Sequence, residues 1–130
     1  MRKMMPAFAV TLALLAFSLW ALPQLPDKVA THWGLDGQPD GWSSARFGAL
    51  LLPGVMVLMS ALFAVLPNID PLKKNYAFHG SVYFLFANVI VAFMGVVDLL
   101  VLGSALGWPV DMLRLLPMLV GAMLVFIGRR

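Results

Sequence analysis

Four long apolar runs divide the chain, with short polar segments between them. The runs are continuous rather than alternating, so they do not have the period-two pattern of membrane β-barrel strands. Each approaches the roughly 20 apolar residues that a helix needs to cross a bilayer. The pattern predicts an all-α, polytopic membrane protein, with residues 1–130 forming one domain of four transmembrane helices at about 6–25, 47–66, 81–106 and 112–127.

The first apolar run also has features of a secretory signal peptide. It follows the basic pair Arg2 and Lys3, and Ala16-Phe17-Ser18 has the small-x-small form of a cleavage site. The apolar residues continue past that site to about Leu25. This length favours a retained transmembrane helix, and the later runs keep the chain in the membrane under either interpretation.

The composition supports the membrane prediction and excludes several classes of protein. Hydrophobic residues make up 62% of the chain and charged residues only 12%, whereas soluble domains are nearer half apolar and a quarter charged. The chain has no cysteine, which excludes disulfides, thiolate metal sites and cysteine nucleophiles. It also lacks a nucleophile elbow, a phosphate-binding glycine loop and a paired-histidine zinc motif. We therefore expect neither an enzyme nor a cofactor, and no nucleic-acid partner.

Basic residues predict the orientation of the helices. Four spans place both termini and the segment around residue 73 on one side of the membrane. That side carries six Lys and Arg residues against three on the other, and such residues favour the cytoplasmic side. Both termini are therefore predicted to be cytoplasmic. All four tryptophans fall on the outer side, where indoles favour the headgroup region: Trp20, Trp33, Trp42 and Trp108.

The outer loop, residues 26–46, is the densest polar segment. His32, Asp36 and Asp40 recur every fourth residue, a spacing that would align metal ligands on a helix. Glycine and proline between them disfavour a helix. We expect instead an ordered, turn-rich loop in which Asp36 and Asp40 bond their own backbone and Gly37 and Gly41 supply positive φ. Metal binding by the three side chains stays open as the alternative.

An aspartate lies inside the third apolar run. Asp98 precedes Leu106 by eight residues, or about 12 Å of helix, and a charge at mid-membrane costs about 2.5–3.5 kcal/mol. It must therefore face protein or water. Arg114, just across the following turn, is the predicted partner in an intramembrane polar pair; a proton or ion site is the alternative. Asn88 and Gly95 share one face of the same helix and predict a helix contact.

The outer loop and the segment after the second run resemble the SdpI family of bacterial membrane proteins. The resemblance rests on Leu25-Pro26, residues 31–42 (THWGLDGQPDGW), residues 52–54 (LPG) and residues 66–75 (LPNIDPLKKN). It covers about residues 20–76, and the rest of the chain matches only as hydrophobic spans. The signature positions that carry over are His32, Gly34, Asp36, Gly37, Asp40, Trp42, Asp70, Pro71 and Asn75.

The resemblance implies a protein of the bacterial cytoplasmic membrane, similar to the front module of longer family members. It implies immunity or signalling, with a toxic peptide bound at the outer face and a regulator recruited on the cytoplasmic side. Besides the lipid bilayer, a second copy of the chain stays open as a partner. Two further functions compete: a small transporter or channel that uses Asp98, and a structural membrane subunit.

Overall fold

The chain forms four helices and one β-hairpin in the computed structural model, which describes residues 2–69 and 76–129. The helices are α1 (Met5–Ala21), α2 (Ala45–Ile69), α3 (Tyr76–Ala105) and α4 (Met112–Gly128), and the strands are β1 (Lys28–Trp33) and β2 (Pro39–Ser44). Short 3-10 turns occupy Arg2–Met4 and Leu22–Gln24. The four predicted helices are confirmed. The prediction of an all-α protein is wrong in one respect, because the outer loop contains a two-stranded antiparallel sheet.

Within the described residues, three helical segments are long and apolar enough to span a membrane: Met5–Gln24, Ala45–Asn68 and Val82–Ala105. The fourth helix, Met112–Gly128, has 17 residues, or about 25 Å of helix, against a hydrocarbon thickness of about 30 Å. The protein is therefore a multi-pass membrane protein with three helices of full spanning length. Whether the shorter α4 also crosses the membrane stays a prediction.

Helices α1, α2 and α3 pack against one another, and α4 packs mainly on α3. The core at one end of this bundle contains fully buried Met4, Met56 and Val91. Gly95 allows close approach there, because a Cβ on it would lie 3.0 Å from Val10 and 3.3 Å from the Met56 methyl. Small residues at such crossings let membrane helices approach closely.

Asn88 joins α3 to the start of α1. Its side-chain oxygen accepts a hydrogen bond from Ala7 N at 2.8 Å, and its amide nitrogen donates to the carbonyls of Lys3 and Phe84, both at 2.8 Å. The Ala7 N–H is one of the backbone donors that the first turn of α1 leaves without a helical partner. The predicted helix contact at Asn88 and Gly95 is confirmed.

The hairpin lies at the end of the bundle where α1 and α3 finish and α2 and α4 begin. Its strands pair antiparallel, with Val29 opposite Ser43 and His32 opposite Gly41, and the register is irregular on either side of His32. At the turn, Gly34 N donates to the Gln38 carbonyl at 2.9 Å, and Gly37 has the predicted positive φ, +81°. The prediction of a positive φ at Gly41 is wrong, because Gly41 lies in strand β2 opposite His32. The loop is ordered, as predicted, and it contains two paired strands that the sequence did not predict.

Candidate functional site

A groove of about 420 Å³ lies beneath the hairpin. Helix α2 forms one wall, α4 forms the other, α3 supplies the floor and β1 covers the end. The lining side chains are mostly apolar, with Thr31 and His32 as the polar members; the full set is Thr31, His32, Trp33, Gly48, Leu51, Leu52, Val97, Val101, Met112 and Leu116. This groove is a concave site that combines an apolar lining with two polar side chains.

Glycines bring the hairpin down onto both walls of the groove. A Cβ on Gly48, in the first turn of α2, would lie 3.1 Å from the Cβ of Val29, which is itself 1% exposed. A Cβ on Gly37, at the hairpin turn, would lie 2.9 Å from the Cβ of Leu113 in α4. The hairpin therefore bridges α2 and α4, and in each of these two contacts one of the partners is a glycine.

His32 stands at the mouth of the groove and is held by Asp40. Its ring Nδ1 makes a short hydrogen bond with Asp40 Oδ1 across the two strands, and both side chains are largely exposed. Such an exposed pair adds little stability, but it fixes the ring orientation. With the carboxylate as acceptor, Nδ1 carries the hydrogen, which leaves Nε2 for another partner.

The other signature residues of the hairpin shape its turn. Asp36 Oδ1 accepts a hydrogen bond from Gln38 N at 3.0 Å, which confirms the predicted bond from Asp36 to its own backbone. The same prediction for Asp40 is wrong, since its Oδ1 bonds His32. A Cβ on Gly34 would lie 3.1 Å from Asp36 Oδ1 and 3.3 Å from Asp40 Oδ2. Glycine thus leaves room for both carboxylates on one side of the turn.

Metal binding by His32, Asp36 and Asp40 finds no support in this geometry. Across the described residues, no group of three or more His, Cys, Asp or Glu side chains is arranged to hold a metal ion.

The remaining signature residues lie away from this turn or outside the description. Trp42, which lies in β2 opposite Ala30 of β1, is 56% exposed. Three signature residues, Asp70, Pro71 and Asn75, lie outside the described residues.

Asp98 is fully buried in α3, but its partner is not the predicted one. Its Oδ2 accepts a hydrogen bond from the Ser18 hydroxyl of α1 at 3.1 Å. The Arg114 Nε instead lies 3.7 Å from Oδ2 of Asp111, three residues earlier in the chain, and 83% of the Arg114 side chain is exposed. The predicted Asp98–Arg114 pair is therefore wrong. A solvent-facing ion pair spares the guanidinium the cost of entering the apolar interior.

Sequence reasoning missed both Ser18 and the groove. The contact of Ser18 with Asp98 depends on α1 and α3 running parallel, as the contacts Ala7–Asn88 and Ser18–Asp98 show. Two sequence features could have indicated the contact: Ser18 and Asp98 are both polar residues in apolar runs, and both lie within two turns of the hairpin-side helix end. The groove left one trace, Gly48 in the first turn of α2.

Comparison with known families gives one match, and it covers the hairpin. Residues 9–57 match the family described as a domain of unknown function, DUF1648, a domain that occurs as the N-terminal module of SdpI-type membrane proteins. No curated protein and no solved structure matches the chain. The matched segment runs from α1 through the hairpin to the first half of α2. The chain is therefore a multi-pass membrane protein that is similar to this family over the segment that carries the hairpin.

Proposed function

We propose that the protein binds a membrane-active amphiphile, in particular a peptide segment, in the groove beneath the hairpin. The observation that carries the proposal is the groove itself: an apolar cleft of about 420 Å³ with a fixed histidine at its mouth. Ligand sites are commonly clefts of about 300–1,000 Å³ lined by apolar side chains with a few placed polar groups.

The position of the groove supports entry from the membrane. Helix α4 packs mainly on α3, so the groove lies between α2 and α4 with α3 as its floor. At this end of the bundle the tryptophans Trp20 and Trp42 are each 56% exposed, as expected for residues in the headgroup region. An amphiphile dissolved in that leaflet could enter sideways and place its apolar part against Leu52, Val97 and Leu116.

His32 supplies the polar contact for such a ligand. Asp40 holds the ring through Nδ1, so Nε2 is the atom that can bond a group of the ligand, such as a peptide N–H. A hydrogen bond of this kind contributes about 0.5–1.5 kcal/mol. Apolar burial in the groove would therefore supply most of the affinity, and His32 the orientation.

The family resemblance supports a peptide as the ligand. The resemblance to SdpI-type proteins implies immunity to a secreted toxic peptide. The match to DUF1648 includes the hairpin with His32 and Asp40. On this proposal the protein resides in a bacterial cytoplasmic membrane with its hairpin outside and both termini inside. Recruitment of a cytoplasmic regulator would be a second part of that role.

The test compares a groove-filling variant with a matched control. Leu52→Trp adds a large side chain inside the groove, whereas Leu12→Trp makes the same change on α1, where Leu12 is 69% exposed and outside the groove. Both proteins, in lipid nanodiscs, are titrated with an amphipathic helical peptide that carries an environment-sensitive fluorophore. We expect Leu52→Trp to weaken binding at least about tenfold, the equivalent of 1.4 kcal/mol, and Leu12→Trp to leave it unchanged.

His32→Ala should weaken binding by a smaller factor, about two- to tenfold, because it removes one hydrogen bond. Melting temperatures of all three variants show whether any has lost its fold. Equal peptide affinity in wild type and a folded Leu52→Trp protein would contradict the proposal and favour a structural role for the hairpin.

A further inference from the structure

A carboxyl group lies inside the three-helix bundle, away from the proposed ligand groove. Asp98 is 0% exposed and belongs to the spanning segment Val82–Ala105. It precedes the end of α3 by seven residues, or about 10 Å of helix. An intramembrane aspartate is costly and is usually kept for a function.

The two oxygens of this carboxyl group have different surroundings. Oδ2 accepts the hydrogen bond from the Ser18 hydroxyl at 3.1 Å, and Ser18 is itself 0% exposed. Oδ1 is buried and has no hydrogen-bond partner among the described residues. Buried polar atoms without partners are rare and each calls for a physical explanation.

Among the residues that the structure describes, no cation is placed to neutralise Asp98. Helix α1 contains no charged residue between Met5 and Ala21, and Asp98 is the only one in the segment Val82–Ala105 of α3. The single charged residues of α2 and α4 are Arg46, which is exposed, and Arg114, which faces Asp111. The nearby strand β1 carries only Lys28 and His32, both exposed.

Apolar packing closes the interior on both sides of Asp98. One turn earlier on α3, Gly95 is in contact with Val10, Leu14 and Met56. One turn later, Leu102 is 0% exposed. The carboxyl is therefore enclosed, since neither Asp98 nor Ser18 has any exposed surface.

We infer that Asp98 is a proton-binding site within the membrane, with the proton on Oδ1 and the Ser18 hydroxyl donating to Oδ2. A protonated carboxyl is neutral, carries its own O–H, and needs no cation. A ligand in the groove would contact Val97 and Val101, which lie on either side of Asp98 in the sequence of α3. The inference of a proton site does not depend on such a ligand. Release of the proton requires α1 and α3 to separate far enough to admit water or a cation.

A hydrophobic carbodiimide tests for such a group. The protonated carboxyl adds across one C=N bond of dicyclohexylcarbodiimide: a carboxyl oxygen bonds the central carbon, and the proton passes to nitrogen. The resulting O-acylisourea rearranges to a stable N-acylurea. The whole reagent is added and nothing leaves, so the product is identified by its mass and mapped by fragmentation.

The experiment uses the full chain in liposomes and compares this reagent with a water-soluble carbodiimide. We expect the hydrophobic reagent to label Asp98, with labelling falling as the pH is raised, and the water-soluble reagent to label Asp36 and not Asp98. Asp98→Asn removes the label and serves as the control. Labelling of Asp98 by the water-soluble reagent would overturn the inference of an enclosed site, since it would show a carboxyl that is open to water.

Infrared spectroscopy provides a second readout that does not depend on reagent access. We expect a C=O stretch of a protonated carboxylic acid that is present in the wild type at neutral pH and missing from Asp98→Asn. Ser18→Ala should shift the frequency of that band, because it removes the hydrogen bond to Oδ2. Spectra of wild type and Asp98→Asn without this difference would show that Asp98 carries no proton, whatever the labelling result.

Discussion

Single polar side chains set how the helices of this bundle meet. Asn88 holds the start of α1 through two hydrogen bonds, to Ala7 and Lys3, and Ser18 holds the other end of α1 through Asp98. Between them, the Thr11 hydroxyl lies 3.3 Å from that of Ser60 in α2. Leucine and valine pack against lipid as well as against each other, so polar and small residues decide which helix faces fit together.

The residues themselves were visible in the sequence, but their partners were not. Asp98 was identified as an intramembrane polar residue, and its burial confirms that it faces protein. Its partner was assigned to Arg114 because the two are close across a turn, whereas the contact formed is with Ser18, 80 residues away. Reasoning from the sequence favours partners that are close in the chain. The parallel packing of two helices that do not follow one another produces no pattern of residues from which it could be predicted.

The corrected pairing predicts the outcome of a double-mutant cycle. Ser18→Ala should lower the free energy of unfolding by about 1–3 kcal/mol, because it leaves buried carboxyl oxygens unsatisfied. In an Asp98→Leu background the same change should cost much less, a coupling of about 0.5–3 kcal/mol. The measurement is denaturant unfolding in mixed micelles.

Arg114→Gln is the matched control for this cycle. Arg114 lies 3.7 Å from Asp111 in an exposed pair, so its loss should cost only about 0–1 kcal/mol and should add to Ser18→Ala within about 0.5 kcal/mol. A large coupling between Arg114 and Asp98, with none for Ser18, would restore the pairing that the sequence suggested.

At the scale of elements, the helices followed from the sequence and the hairpin did not. Continuous apolar runs of about 20 residues predict helices directly, and their ends were placed within five residues of those observed. The strands are six residues each and contain Pro39, Asp40 and Gly41, residue types that are depleted in strands. The sequence indicates turn chemistry at Asp36 and Gly37, but the contacts of the hairpin with α2 and α4 join residues that are far apart in the chain and leave no pattern in it.

The docking of the hairpin predicts different effects for two glycine substitutions. Gly37 and Gly107 both have a positive φ, +81° and +93°, so alanine should cost about 1–2 kcal/mol in backbone strain at either position. Only at Gly37 would the new Cβ meet another side chain, 2.9 Å from that of Leu113. Gly37→Ala should therefore lose about 1–3 kcal/mol more than Gly107→Ala.

Thermal unfolding of the two variants in the same detergent gives this difference. Changes in tryptophan fluorescence should be larger for Gly37→Ala, because Trp33 packs against the cluster of Val29, Val101 and Met112 near the groove. Equal losses of stability at the two glycines would mean that the hairpin turn does not pack on α4. The hairpin would then not close that end of the groove.

On the scale of the whole molecule, one end of the bundle differs from the other. Trp20, Trp33, Trp42 and Trp108 all belong to the hairpin end, where Phe17 stacks with Trp108 at 5.9 Å between ring centroids. The opposite end has Lys3 beside Phe84. The sequence predicted this asymmetry from the positions of indoles and basic residues. The way the bundle inserts into the membrane decides which end faces the cytoplasm. The side on which the C-terminus lies also depends on whether α4 crosses the membrane.

Cysteine labelling in intact cells tests the orientation, and the chain is suited to it because it has no cysteine of its own. Single cysteines replace Lys3, Asp36, Lys73 and Arg129 in turn, and a membrane-impermeant maleimide is added before and after permeabilisation. We expect Asp36→Cys to react in intact cells and the other three only after permeabilisation. The unmodified chain is the negative control. Labelling at Asp36 and Lys73 on the same side would overturn the assignment of α2 as a span.

The labelling of Arg129→Cys decides whether α4 crosses the membrane. A helix of 17 residues covers about 25 Å, and a bilayer can thin to match it at a cost of a fraction of a kcal/mol per Å. Arg114 and Arg129 stand near its two ends, where long basic side chains can extend to opposite interfaces. We therefore expect Arg129→Cys to be protected in intact cells. If it reacts together with Asp36→Cys, α4 lies on the hairpin side and the protein has three spans.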